Sequence, residues 1–168
     1  MARVLQAPCL RAVLAFGLIF PNFPAAAADA AAGKSLAIAT AHAFVDETLT
    51  VDAAVELVGA NKPAEQSGQY WVIRTGRGDQ QIILHALTRT EPAADAEIHL
   101  GLEAGVVLAD VEAAFGRWTL VHASVDTSVK FEATNEQGRS AEIYATLFGS
   151  RPAPEAQVTK LKLWRVKP

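Results

Sequence analysis

The 168-residue chain holds one cysteine and one methionine, and aromatic residues make up 7% of it. A single thiol forms no internal disulfide, and one Cys with four scattered His excludes a compact Cys-rich zinc site. Excess positive charge is missing too: the formal net charge is −3, which argues against a dedicated nucleic-acid binder. No apolar run reaches the ~20 residues that a ~30 Å bilayer core demands. Glycine (11) and proline (8) are at ordinary levels and 51% of residues are hydrophobic, so the chain is neither collagen-like nor a disordered polymer. What remains is a globular protein of one domain, or two very small ones, with no catalytic signature above background.

The N-terminus reads as a secretory leader over residues 1–28. Arg3 and Arg11 are its only charges, Ala12 to Phe20 is apolar, Pro21 and Pro24 interrupt, and Ala25 to Ala28 offers Ala-x-Ala cleavage sites. Cys9 is a poor lipidation site, because Pro8 precedes it and the apolar run follows it. Cleavage near Ala28 removes two arginines and shifts the formal charge from −3 to −5. The exported domain, 29–168, then contains no cysteine and must be held by packing alone. Its location is expected to be periplasmic or extracellular. Residues 29–149 carry 8 basic and 17 acidic side chains, a net of −9, whereas residues 150–168 carry five basic and one acidic. Lys160 and Lys162 alternate with apolar residues in that basic segment, which reads as a protected edge strand or as an interaction surface.

Ala28, Gly33, Lys34 and Ser35 fit a degenerate phosphate-binding loop. That loop needs a strand delivering the chain into a glycine turn at a helix N-terminus. Here the upstream segment is leader alanine, so no nucleotide site is expected.

A degenerate repeat is expected, at an offset of about 60 residues. Pro92 matches Pro152, Ala93 matches Ala153, and Ile98 matches Val158. Ile83 and Leu87 match Ile143 and Leu147, and at a slightly shorter offset Trp71 and Ile73 match Val129 and Phe131. Repeat one covers about 36–102 and repeat two about 103–168. Each begins with an amphipathic helix closed by glycine, Val51 to Val58 before Gly59 and Leu108 to Phe115 before Gly116. Three strands follow in each: Tyr70 to Thr75, Gln81 to Thr88 and Glu97 to Leu102, then Ser128 to Thr134, Ala141 to Phe148 and Gln157 to Val166. Gly76 to Asp79 and Asn135 to Gly138 are hairpin turns. Leu36 to Phe44 alternates large and small residues and leans toward a strand, although its alanines also permit a helix. The fold class is therefore α+β: two helix–β-hairpin–strand repeats with helices packed on antiparallel sheet.

Alternation assigns Val129, Phe131, Ile143, Ala145 and Leu147 to the core, with Trp71, Ile73, Ile83, His85 and Leu87 matching them. The opposite face carries Tyr70, Arg74, Lys130, Glu132, Tyr144 and His99. Trp118, after a helix-ending glycine, caps that helix or lines a groove, and Trp164 packs at the sheet edge. The binding-surface candidates are Tyr70, Arg74, Trp118, Lys130 and Tyr144.

Helix, glycine and three antiparallel strands, given twice, resembles the tandem architecture of β-lactamase inhibitor proteins and the single-unit outer-membrane assembly lipoproteins of the SmpA/OmlA type. Gly105 to Gly116, with Val111 central, resembles the glycine-bounded helix of that family. The inhibitors carry disulfides and the lipoproteins an anchoring Cys, neither of which the mature chain offers. The resemblance implies a non-enzymatic, protein-binding exported domain.

Chemistry has few carriers. His85 and His99 on adjacent strands are the metal candidates, but alternation turns one inward and the other outward, so no metal and no cofactor is expected. Ser124 near His122 is a surface pair rather than a nucleophile. The leading function is a non-enzymatic protein-binding or envelope-assembly module whose partner is another envelope or extracellular protein, with no nucleic acid. The alternatives are a small apolar-ligand carrier, whose helices lift from the sheet, and a small hydrolase or metalloenzyme.

Overall fold

A computed structural model describes residues 24–59, 63–122, 127–149 and 151–166. It is an α+β arrangement of three helices on one antiparallel sheet of eight strands. The helices are α1 (Pro24–Val45), α2 (Val51–Val58) and α3 (Leu108–Phe115). The strands are β1 (Glu65–Ser67), β2 (Tyr70–Arg74), β3 (Gln81–His85), β4 (Asp95–His99), β5 (Trp118–His122), β6 (Ser128–Thr134), β7 (Ser140–Leu147) and β8 (Val158–Arg165). Their order across the sheet is β1-β2-β3-β4-β8-β7-β6-β5. After α1 the chain runs twice through a short helix and a four-stranded meander, α2 with β1 to β4 and α3 with β5 to β8, and the two meanders join where β4 pairs with β8.

The helix ends follow local chemistry. Thr50 caps α2 by accepting a hydrogen bond from the Ala53 amide at 3.0 Å, and Gly59 ends it in the left-handed conformation at φ 63°. At α3 the Asp110 carboxylate accepts the Val107 amide at 3.0 Å and also takes Lys34 from α1 at 2.5 Å. Negative charge in a first helical turn complements the helix dipole.

The segment expected to be a strand, Leu36 to Phe44, is instead the second half of α1. Leu36, Ala37, Thr40, Ala41, Phe44 and Val45 are buried with Gly33, a helical spacing in which alanines face the core rather than alternate away from it. Pro24 opens this helix rather than interrupting one, as a first-turn proline can. Gly33, Lys34 and Ser35 lie within α1, so the phosphate-loop pattern has no loop to form. A Cβ on Gly33 would stand 2.9 Å from the Gln80 amide and 3.3 Å from Ala104, so this glycine permits the close approach of the 3₁₀ turn Leu102–Ala104. The expected leader falls mostly on residues 1–23, outside those described. Ser124 is also outside them.

Two apolar rows cross the inner face of the sheet. One runs Trp71, Leu84, Ala96, Leu163, Ile143, Phe131 and Trp118 through successive ladder pairs. The other runs Ile73, Ile82, Ile98, Leu161, Ala145, Val129 and Leu120. Helix α1 packs over β7 and β8, α2 over β2, and α3 over β6. The expected register of β3 is out by one residue. Ile82 and Leu84 face the core, so Ile83 and His85 point the other way. Leu87 lies beyond the strand and is 77% exposed, whereas Leu147, its expected match, is 1% exposed. Matching Ile83 to Ile143 therefore pairs opposite faces. Trp164 and its strand β8 also lie in the middle of the sheet, not at its edge. Lysines alternating with leucines mark one-sided burial, which central and edge strands share.

Leu161 is fully buried between Ile98 and Ala145. Leu161→Ala should lower unfolding free energy by ~2–5 kcal/mol, and Thr50→Ala by ~1 kcal/mol, in urea titrations. A near-neutral Leu161→Ala would contradict the packing of that row.

Candidate functional site: the helix-free face of the sheet

The outward side chains of the strands form three rows on the face that no helix among the described residues covers. In register, the first is Tyr70, His85, Asp95, Trp164, Glu142 and Glu132. The second is Val72, Ile83, Glu97, Lys162, Tyr144 and Lys130, and the third is Arg74, Gln81, His99, Lys160, Thr146 and Ser128. Of the expected surface residues, Tyr70, Arg74, Lys130, Tyr144, Glu132 and His99 all lie here. Trp118 does not. It pairs with Phe131 on the inner face and packs against the core.

His85, expected inward, is on this face through the register of β3. Its Nδ1 lies 3.0 Å from an Asp95 carboxylate oxygen, its Nε2 lies 2.8 Å from the Gln69 amide oxygen, and its ring tilts against Tyr70 at 5.1 Å. His99 is not beside it. Gln81 is the ladder partner of His99, and His85 stands four residues further along the same strand, roughly 13 Å away at ~3.3 Å per residue. His99 instead meets Glu97 at 3.2 Å. Among the described residues no three His, Cys, Asp or Glu side chains are placed to hold a metal ion.

The middle of the face is laced by ion pairs. Glu97 takes Lys162 at 3.1 Å, and Lys162 in turn lies over the Trp164 ring, 4.7 Å from its centre. Lys130 bridges Glu132 at 2.7 Å and Glu142 at 3.1 Å, and the Tyr144 hydroxyl donates to Glu142 at 2.7 Å. Burial works to raise the Glu97 carboxyl, but hydrogen bonds from Lys162 and His99, with the charge of Lys160, more than offset it and hold it below the usual carboxylate range. The Tyr144 hydroxyl and Lys130 likewise hold Glu142 low, and the same bond to Glu142 pushes Tyr144 up. Glu132 and Glu142 keep Lys130 protonated well above the ordinary lysine range.

At one end of the face a groove of about 820 Å³ is lined by His85, Asp95, Trp164, Ser140, Arg139 and Arg165, among others. Its floor is closed by Glu47, whose carboxylate takes Arg139 and, at 3.0 Å, Arg165. Arg165 also donates from Nε to the Ala93 carbonyl at 3.1 Å and lies over the Phe44 ring. Burial, then the nearby Arg139, lowers its guanidinium from the usual arginine value.

A His–Asp pair in a groove invites comparison with an acyl-transfer centre, which needs a nucleophile within ~3 Å of the imidazole. Ser140 lines the same groove, but three ladder steps separate β3 from β7, roughly 14 Å at ~4.8 Å each. Its hydroxyl is already engaged with Thr134 at 3.0 Å. Beneath α1 the void lined by Gly33, Leu36, Gln80 and Ile98 holds about 10 Å³. Sequence reasoning missed Asp95, Glu97, Lys162 and Trp164 as members of this face. The alternation of Lys160, Lys162 and Trp164 with Leu161 and Leu163 was the available signal.

No known family, curated protein or solved structure matches the chain.

Because the native Glu97 carboxyl titrates below its unfolded value, it adds stability that is present above the ordinary carboxylate pKa of ~4.3 and is lost as pH falls through the native value. Lys162→Met should therefore cost most near neutral pH, with the difference from wild type shrinking below pH ~4 in denaturant titrations. A pH-independent difference would show that this pairing contributes nothing through ionisation.

Proposed function

We propose that the protein is an exported, non-enzymatic binding module whose contact surface is the helix-free face of its sheet. The observation that carries this reading is the face itself: part of an eight-stranded sheet, covered by no helix among the described residues, with Tyr70 48% and Trp164 43% exposed among satisfied ion pairs. An exposed mixed polar and aromatic surface of this extent suits contact with another folded protein, because aromatic anchors supply area while paired charges keep the surface soluble. The partner is an envelope or extracellular protein.

The export reading rests on residues 1–28: a basic start, a short apolar run and small residues at the expected cut. Cleavage near Ala28 falls within α1, and among the described side chains every buried residue of that helix lies at or after Gly33. The processed chain thus keeps every buried residue described in α1. No helix among the described residues is long and apolar enough to cross a membrane. The two halves, each a helix and a four-stranded meander, are read as degenerate copies of one unit. This is the arrangement that the resemblance to the inhibitor-like tandem proteins implies.

A photo-crosslinking residue placed at Tyr144 or Arg74 in the exporting host should yield protein adducts, and one at Glu56, exposed on α2, should not. Intact mass of the envelope material should correspond to a chain beginning near residue 29. Adducts from Glu56 alone would overturn the surface assignment, and a chain beginning at Met1 would overturn export.

A further inference from the structure

The three outward rows segregate charge along the strands. Asp95, Glu142 and Glu132 stand in the first row with no lysine or arginine, whereas Arg74 and Lys160 stand in the third with no carboxylate. Trp164 is flanked in register by Asp95 on β4 and Glu142 on β7, each one ladder step of ~4.8 Å away. An exposed indole between two carboxylates is a receptor for a cationic side chain. Lys162 of the same chain covers one face of that indole. Lys160, two residues before it on the outward side of β8, makes no ion pair among the described residues.

We propose that this face docks a second copy of the chain, with Lys160 of each copy seated on Trp164 of the other between Asp95 and Glu142. The inference rests on the reading that the helix-free face is the contact surface, and it names the occupant. A two-fold axis lying between two such faces, across the strands, lays β8 on β8 and the first row of one copy on the third row of the other. Lys160 then meets Trp164, Asp95 meets His99, and Arg74 meets Tyr70, each twice by symmetry. The middle rows meet each other with Glu97 and Lys162 already neutralised within each chain. The other in-plane axis, along the strands, would set each row against itself and leave Lys160, which has no ion pair of its own among the described residues, facing a row that holds no carboxylate.

Size is consistent with this. The three rows hold six residues each, 18 per copy, just under the ~20–30 a side of a standard stable interface. Two sheets packed face to face stand ~10 Å apart with strands ~30° from aligned, so twist concentrates the contact on the central strands. Those central strands are β4 and β8, which carry Asp95, Lys160 and Trp164.

The test is sedimentation of the processed chain over a range of concentrations, with far-UV circular dichroism confirming that each variant folds. The wild type should form a dimer that weakens as salt rises from roughly 0.05 to 0.5 M. Lys160→Glu and Trp164→Ala should each weaken it at least ~10-fold. Adding Asp95→Lys to Lys160→Glu should restore most of the loss, which a purely structural effect would not do. A wild-type monomer at all concentrations, or a dimer indifferent to Lys160→Glu, would overturn the proposal. A monomer whose Tyr144 position still crosslinks to another protein would overturn the second copy while leaving the contact surface standing. A face that crosslinks to nothing would overturn both.

Discussion

The pairing of β4 with β8 is the joint on which the molecule depends. Apart from α1, each half is a short helix of eight residues with a four-stranded meander, and the five ladder pairs from Asp95 and Trp164 to His99 and Lys160 make the two into one sheet. Joining them turns two would-be edges into the centre, where main-chain groups are satisfied and both apolar rows become continuous. Helix α1 then has a surface wide enough to bury Leu36, Ala41 and Phe44 over β7 and β8. The same joint sends Arg165 from β8 to the Ala93 carbonyl and to Glu47, so the turn after α1 is fixed by the strand beneath it.

Much of the fold was legible because its punctuation is local. Both short helices carry their stop signals as glycines, and Thr50 supplies a cap that needs no tertiary context. The β6 and β7 strands alternate cleanly, so their faces read correctly. β3 does not: Ile82, Ile83 and Leu84 form an unbroken apolar run, and period-two reasoning has no purchase on parity there. Its register is set by ladder partners on β2 and β4, which lie outside any local window. α1 misled for the complementary reason. Its alanines are small enough to satisfy either period, and the deciding fact is that Ala37 and Ala41 are wholly buried against neighbours far away in the chain.

The site was half legible on the same grounds. Tyr70, Arg74, Lys130 and Tyr144 share a face because their strands alternate, and that needed no knowledge of strand order. Trp164 and Lys160 gain their meaning only from strand order. At an edge they would be aggregation guards, whereas in the middle they stand in register with Asp95 and Glu142. Trp118 shows the limit of reading an aromatic by its neighbours in sequence. It follows a helix-ending glycine, yet its ladder pairing with Phe131 turns it into the core.

The internal ion pairs of the outer face bear directly on what such a face can do. A bare charge taken out of water by a docking partner is costly unless it meets its complement at once. Glu97 arrives already held by Lys162 and His99, and Glu142 by Lys130 and Tyr144. Covering these groups leaves each with the partner it had before, so the cost of desolvation falls mainly on the unpaired residues of the first and third rows. Specificity then resides where pairing within the chain is incomplete, at Lys160 and around the open side of Trp164, while the laced middle supplies area that keeps its charges matched within each chain.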